Sequence, residues 1–447
     1  MKAISRLAGM AVAAVLLLAS CAKNDSNVLS TIPADITFVA RIDLTKDNAK
    51  ELANAFFGDI KIDEEKDILD LKNVVMTRNE KNVVITIIPV KDEGAFAKIL
   101  VEDGLKETDN PELKGSKAFE SDDMCVVIKD GIARLGAYTV KVISAEIKDN
   151  EKAEKTIADC SGVVEALNAD HMLNLVLSTK IADNDKPSYL VAGIDMDKKL
   201  SSAFSNIYAD GAIVETPVLQ PVSADVMDYL PSNVIAAYAL GINGDKLDNN
   251  IIKEINSELH KDIAAVGTVI WDYLKRLSGT TMVAVTLNDP SKTVNELFDE
   301  PFDALGYMAM VQMSQDSLDL TLKEVKTLMG VIGTSYSDAG NGFYVANVGL
   351  TNLWFGVVND YLLLSTFKPE KQATAPFKQP SEVDSWLWVN LKNLNLPDGH
   401  KLGLQASGQY SHGKGTFEAD FSGSGESFIE SLKKLVFLKD SEPATDN

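Results

Sequence analysis

The stretch Gly408-Gln-Tyr-Ser-His-Gly413-Lys414-Gly415-Thr416 comes nearest to a phosphate-binding loop, in which two glycines precede a lysine and a hydroxyl. Gly415, however, stands where the magnesium-binding Ser or Thr belongs. The residues from Thr416 onward also alternate like a strand instead of opening a helix. A hairpin turn is expected there. Oxygen ligands cluster at Asp195-Met-Asp197, Asp183-Asn-Asp185 and Glu120-Ser-Asp122-Asp123, but none has the alternating acids, central glycine and closing glutamate of a calcium loop. The histidines, His171, His260, His400 and His412, are not spaced as metal ligands. Neither a Gly-x-Ser-x-Gly elbow nor a His-Glu-x-x-His helix occurs. Carboxylate pairs that cleave glycosidic bonds can come from distant segments, and among 65 acids the sequence singles out no pair. Trp386 and Trp388, two apart on an expected strand, share a face as a sugar platform or as core. The comparable positions Met172 and Asn174 repeat no platform, so core is expected, as it is for Trp354 beside Phe355. These residues lead us to expect no catalytic residue, no metal and no cofactor.

Cys21 offers chemistry of another kind. Lys2 and Arg6 give a positive start, and Leu7 to Ala19 is almost wholly apolar, the pattern of a secretory signal. The apolar run is too short to span a hydrocarbon core, which takes about 20 residues. Leu18-Ala19-Ser20-Cys21 resembles the lipobox of bacterial lipoproteins. In that family the cysteine sulfur, the nucleophile of the set, receives a diacylglycerol before the signal is cut away. The resemblance implies lipidation at Cys21, and several acyl chains there exceed the two-signal threshold for stable anchoring. Residues 1–20 are then the signal peptide and residues 21–31 a polar tether. Ala22 after the cysteine, by resemblance to enterobacterial lipoproteins, implies the outer membrane. Surface display has only Asp25 in its favour.

The net charge of −22, which grows once Lys2 and Arg6 leave with the signal, excludes nucleic acid and anionic headgroups as partners bound through charge. A hydrophobic fraction of 45% places the body among folded proteins, and 447 residues call for more than one domain or repeat. Cys125, inside the apolar run Met124–Ile128, reads as a buried thiol. Its pairing with Cys160 stays open.

The elements that position these residues follow from an echo along the chain. Ile32–Leu44 matches Leu230–Ile242, placing Pro33 on Pro231, Asp35 on Asn233 and Ile36 on Val234; each stretch opens with a turn and runs on as a strand. Val127–Ile132 matches Val357–Leu362, where a two-residue turn joins apolar strands. Leu173–Leu177 matches Leu387–Leu391 more weakly. Ile252, Ile255, Leu259, Ile263, Val266, Ile270, Leu274 and Leu277 recur at helical spacing, with Gly279 as a stop. At the far end, Leu402–Ser411 and Gly415–Ser422 form a hairpin, and Ser424 or Ser427 caps a last helix carrying Phe428, Leu432, Leu435 and Val436. The expected fold class is α+β: two related halves of antiparallel β-sheet with helices packed on one side. Residues 32–211 form the first repeat, 212–222 the joint, 223–438 the second repeat and 439–447 a disordered tail.

The lipobox, the short tether and the opening strand Ile32–Ile36 together resemble an uncharacterised Bacteroidota lipoprotein family, a domain of unknown function, over nearly the whole chain. That resemblance implies an envelope location and brings no activity with it. Asp316-Ser317-Leu318 resembles the acceptor of general O-glycosylation in Bacteroidota envelope proteins, which makes Ser317 a candidate glycosylation site. The expected function is a membrane-anchored, non-catalytic protein that binds an envelope protein or glycan. The alternative is a lipid-anchored hydrolase acting on glycans or other envelope substrates.

Overall fold

The computed structural model describes residues 26–51, 65–179, 187–214, 216–247, 272–299, 301–349, 351–392, 394–396, 401–421 and 426–431. The chain divides into two compact units, one made of residues 1–214 with 426–447, the other of residues 215–425.

In the first unit the strands are β1 (Phe38–Ile42), β2 (Val74–Arg78), β3 (Val84–Pro89), β4 (Lys106–Thr108), β5 (Lys117–Glu120), β6 (Cys125–Lys129), β7 (Ile132–Gly136), β8 (Leu173–Thr179), β9 (Ser188–Met196) and β10 (Lys199–Tyr208). Helix α1 (Glu93–Glu102) follows β3, while α2 (Val140–Asn150) and α3 (Ser161–Leu167) follow β7. The strands pair antiparallel in the order β4-β5-β6-β7-β3-β2-β1-β8-β9-β10. Alternation along each strand sends side chains to both faces of this sheet, and both faces are buried. Val39, Val75, Ile85, Ile87 and Val127 pack under Ile143 and Ile147 of α2 and Val163 and Leu167 of α3. On the other face Val74, Ile88, Val126 and Leu135 pack under Phe96 and Leu100 of α1, joined by Leu44, Leu69 and Leu71.

The second unit holds β11 (Val234–Gly241), β12 (Leu277–Leu287), β13 (Leu305–Met313), β14 (Tyr336–Gly340), β15 (Phe343–Val348), β16 (Thr351–Val358), β17 (Tyr361–Ser365), β18 (Ser385–Asn390), β19 (Leu404–Ser411) and β20 (Lys414–Phe421). Helix α4 (Gln315–Val331) follows β13. The order is β14-β15-β16-β17-β13-β12-β11-β18-β19-β20, again antiparallel at every pairing. One face is buried: Ala237, Ala239, Met282, Ala284, Met308, Met310, Leu363 and Trp386 form a core with Val226, Met227 and Leu230.

The expected α+β class, two related halves each layered with helices on one side, is not what forms. The chain is predominantly antiparallel β, its longest described helix is the 17-residue α4, and the first unit carries helices on both faces of its sheet. What the units share is strand order. The first echo falls on β1 and β11, and its turn recurs: Pro33 O accepts from Ile36 N at 3.3 Å, and Pro231 O accepts from Val234 N at 3.2 Å. The second falls on the β6–β7 and β16–β17 turns, where Asp130 (φ 53°) and Asn359 (φ 52°) are both left-handed. The third falls on β8 and β18.

Other expectations also shift. Most of the expected long helix, from Ile252 to Ile270, lies outside the described residues. Its end does not: the helical turn closes at Leu274, and Leu277 and Gly279 belong to β12, so Gly279 is no helix stop. The units divide at Val214, inside the expected joint. The last helix, where described from Phe428 to Ser431, belongs to the first unit, because Phe428 N donates to Asp197 O at 2.8 Å. Ser427 caps it, accepting from Glu430 N at 3.1 Å. Leu432, Leu435, Val436, the tail 439–447 and Ser424 lie outside the described residues.

Candidate functional site

The uncovered face of the second unit is built by α4 as much as by the strands. Ser314 stands at the N-cap of α4, and Leu318, Thr321 and Met329 fall on one side of the helix at helical spacing. Met329, Leu322 and Val325 meet Phe355, Ala346 and Leu364, so α4 lies over β15, β16 and β17. Its position is pinned by Arg276, whose Nη1 donates to Glu324 Oε2 at 2.6 Å and to Thr321 Oγ1 at 3.1 Å. That hydrogen-bonded guanidinium holds the Glu324 carboxyl below the usual carboxylate range.

Beyond the helix the same face is open. Antiparallel register sets Tyr238 opposite Val283, Val283 opposite Ala309, and Ala309 opposite Leu364, all on one face. Val283 is 50% exposed and Tyr238 41%, whereas Met282 and Ala239, one residue away and pointing the other way, are buried. An open groove of about 280 Å³ runs along this face beside α4, lined by Val283, Val285, Tyr307, Ala309, Leu353 and Leu364. Ser365 and Thr366 supply its polar edge, and no charged side chain lines it among the described residues. The lining suits an apolar segment and provides no acid or base for group transfer.

A second cleft, of about 420 Å³, opens in the first unit between Thr37, Phe38, Arg78, Asn79, Glu80 and Leu177. Its polar groups are engaged with each other or with the fold. Arg78 Nε donates to Asn82 Oδ1 at 2.9 Å, Asn79 Nδ2 to Glu146 Oε2 at 2.8 Å, and Thr37 Oγ1 to Arg78 O at 2.5 Å. The lining carries one carboxylate, Glu80, and so no acid pair.

Polar groups are also buried in the first unit. Arg41 is fully buried and donates to Leu167 O at 3.2 Å, to Asn168 Oδ1 and to Asn73 Oδ1. Asp43, 3% exposed, has its carboxyl pushed up by burial against the opposing hydrogen bonds of Thr45. Burial likewise pulls the Arg134 guanidinium down to about 10. The Arg41 network ties the ends of β1 and β2 to the loop before β8, a structural task. Sequence reading missed it because an arginine in an apolar strand has no spacing signature.

The residues singled out by sequence fall as follows. Cys21 and its tether up to Asp25 lie outside the described residues, as do Asp183, Asp185, His260 and His400. Ser317 lies in the first turn of α4, half-buried, and its Oγ accepts from Ser314 Oγ at 3.0 Å. Asp195 is taken up by the fold: Oδ2 pairs with His171 Nδ1 at 2.8 Å and Oδ1 accepts from Met172 N at 2.7 Å. Glu120, Asp122 and Asp123 lie exposed at the β5–β6 turn. Among the described residues no three His, Cys, Asp or Glu side chains come together as metal ligands. His412 (φ 51°) and Gly413 (φ 77°) form the expected hairpin turn, with Lys414 the first residue of β20. Trp386 is 1% exposed and Trp388 stacks on Phe377 at 4.3 Å, so both pack into the core of the second unit. Cys125 and Cys160 are both buried and free; burial pushes the Cys125 thiol up to about 12.

Comparison with family models and with curated proteins finds no match. Among solved structures the chain is similar to TP0453 in its crystal form IV, with 10% identity over 40% of this chain and 79% of that one, at a TM-score of 0.28. Crystal form III of TP0453 is matched at 8% identity over 76% of this chain and 92% of that one, at a TM-score of 0.24. Likeness at these values bears on neither fold nor activity.

Proposed function

We propose that this chain is a lipid-anchored envelope protein, held in the outer membrane through Cys21, that binds a partner without catalysing a reaction. The observation that carries the binding role is the open apolar face of the second unit, where Tyr238 and Val283 stand exposed beside a groove free of charged lining. Single exposed apolar side chains are ordinary, but here they sit opposite each other on one sheet face beside an apolar groove, the form an interaction surface takes. The occupant is an apolar segment of another envelope protein. A nucleic acid would be repelled by the net charge of −22.

The anchor is tested with radiolabelled palmitate in the native host: Cys21→Ser loses the label and is released from membranes. A mutant that keeps both label and membrane would end the anchoring claim. The surface is tested with a photo-crosslinking amino acid at position 283 in the membrane-anchored protein. A discrete adduct from position 283, with none from an exposed polar site outside both sheet surfaces such as Glu102, supports the reading. Equal or absent adducts refute it.

The candidate site at Ser317 is part of the same proposal, since an envelope protein carrying the Asp316-Ser317-Leu318 acceptor would be glycosylated there. Intact mass of the native protein decides it, with an unglycosylated mass counting against.

A further inference from the structure

The second unit ends its strand order at β14, and this edge is unlike its counterpart. All five residues of β14 are exposed, and β14 pairs only with β15 among the described residues. In the first unit the equivalent edge strand β4 has three residues, and exposed Lys106 and Glu107 blunt it against further pairing. β14 is longer: it carries one charge, Asp338, and a shift in register only beyond it, so Tyr336 to Asp338 form a regular open edge. Exposed apolar groups flank its start: Leu328, Val331 and Ile332 at the end of α4 are 55%, 78% and 51% exposed, and Tyr336 is 40% exposed.

Charge marks the same place. Between Lys326 and Lys368 the chain carries no cation and only two acids, Asp338 and Asp360, although 24% of the whole chain is charged. Two copies with net charge −22 repel over most approaches, and this neutral stretch is where they meet without that cost. We propose that β14 pairs antiparallel with β14 of a second copy of this chain, about a two-fold axis at Ser337. An isologous pairing of this kind closes on itself and leaves neither β14 edge free. The register follows from the regular part of β14, Tyr336 to Asp338, whose centre is Ser337, and from charge. An axis at Ser337 sets Tyr336 opposite Asp338 of the other copy, whereas an axis at Asp338 would set acid against acid. Asp338 is also turned onto its own loop, accepting from Gly340 N at 2.8 Å.

The axis makes the test direct, because Ser337 then faces Ser337. Antiparallel neighbours have Cα atoms about 4.5–5.5 Å apart, within reach of a disulfide. In the full chain, Ser337→Cys under mild oxidation should give a covalent dimer on a non-reducing gel. Asn347→Cys, exposed on β15, should not. The native thiols at 125 and 160 are buried and add no background. Adding Val331→Glu and Ile332→Glu to Ser337→Cys should cut dimer yield at least about tenfold, the effect of two like charges placed at a contact. A monomer from Ser337→Cys, or equal yields from Ser337→Cys and Asn347→Cys, overturns the proposal. So does dimer formation unchanged by the added charges.

Discussion

The two units run their strands in one order and finish their sheets differently. On the face covered by the helix after the third strand, the first unit buries Ala40, Met76 and Thr86 in a row that continues into Leu135 and Val126. The matching row of the second unit starts buried at Phe355, emerges through Leu364 and Ala309, and ends exposed at Val283 and Tyr238. The opposite faces differ too: α2 and α3 cover the first unit's sheet, while the second unit uses Val226, Met227, Leu230 and Phe377. A common strand order therefore fixes which residues face together, and the segments between strands decide which of those faces stay dry. One unit is stabilised through both faces of its sheet. The other leaves part of a face exposed.

Substitutions can break this contrast, beginning with the largest effect. Phe96→Ala in α1, at a side chain 1% exposed, should cost about 3–5 kcal/mol. Leu328→Ala in the corresponding α4, 55% exposed, should stay within about 0.5 kcal/mol. Hydrogen exchange read separately over each unit checks both, since a two-unit chain need not unfold as one. Similar losses in both would erase the distinction. Next comes Arg41→Ala, which leaves the Asn73 and Asn168 acceptors unmet and should cost about 3 kcal/mol, again in the first unit's strands.

The pH dependences should have opposite signs. Asp43 is raised by burial, so its ionised form costs stability above the usual carboxylate range and the cost fades as pH falls through it. Asp43→Asn, which keeps an acceptor for Thr45, should stabilise the first unit at neutral pH by less than either loss above, with no gain in acid. Denaturation midpoints across pH show it, and a constant gain at every pH would contradict the cause given. Glu324 is depressed by Arg276, so its contribution is present above the usual carboxylate range and lost as pH falls. Glu324→Gln should cost the second unit a few tenths of a kcal/mol near neutrality and nothing in acid, as a partly exposed pair allows. This is the smallest effect of the set.

The sequence made some of this legible. Alternation and turn chemistry located β1 and β11 from Pro33 and Pro231, and the hairpin at His412-Gly413 from its glycine and the strand pattern around it. The fold class misled because helical spacing was read as a covering layer. That spacing shows a helix has an apolar side, but not which sheet face it meets. Gly279 shows the same limit: a glycine after an apolar run suits a helix end or a strand, and here it lies within β12, its carbonyl accepting from Ile242 N at 2.8 Å. The open face was invisible because Thr281-Met-Val-Ala-Val285 is apolar at successive positions, which reads as a strand buried on both sides. Only the position of α4 reveals that Val283 is left out.

The account stands on that residue. Val283→Glu, in the full membrane-anchored protein, should leave the melting temperature within about a degree or two, as an exposed surface change does. It should also lower the recovery of co-purified envelope protein after mild detergent extraction by at least about tenfold, roughly the cost of a charge buried at an apolar contact. Unchanged recovery with an unchanged melting temperature would mean that the open face of the second unit is not where this protein binds.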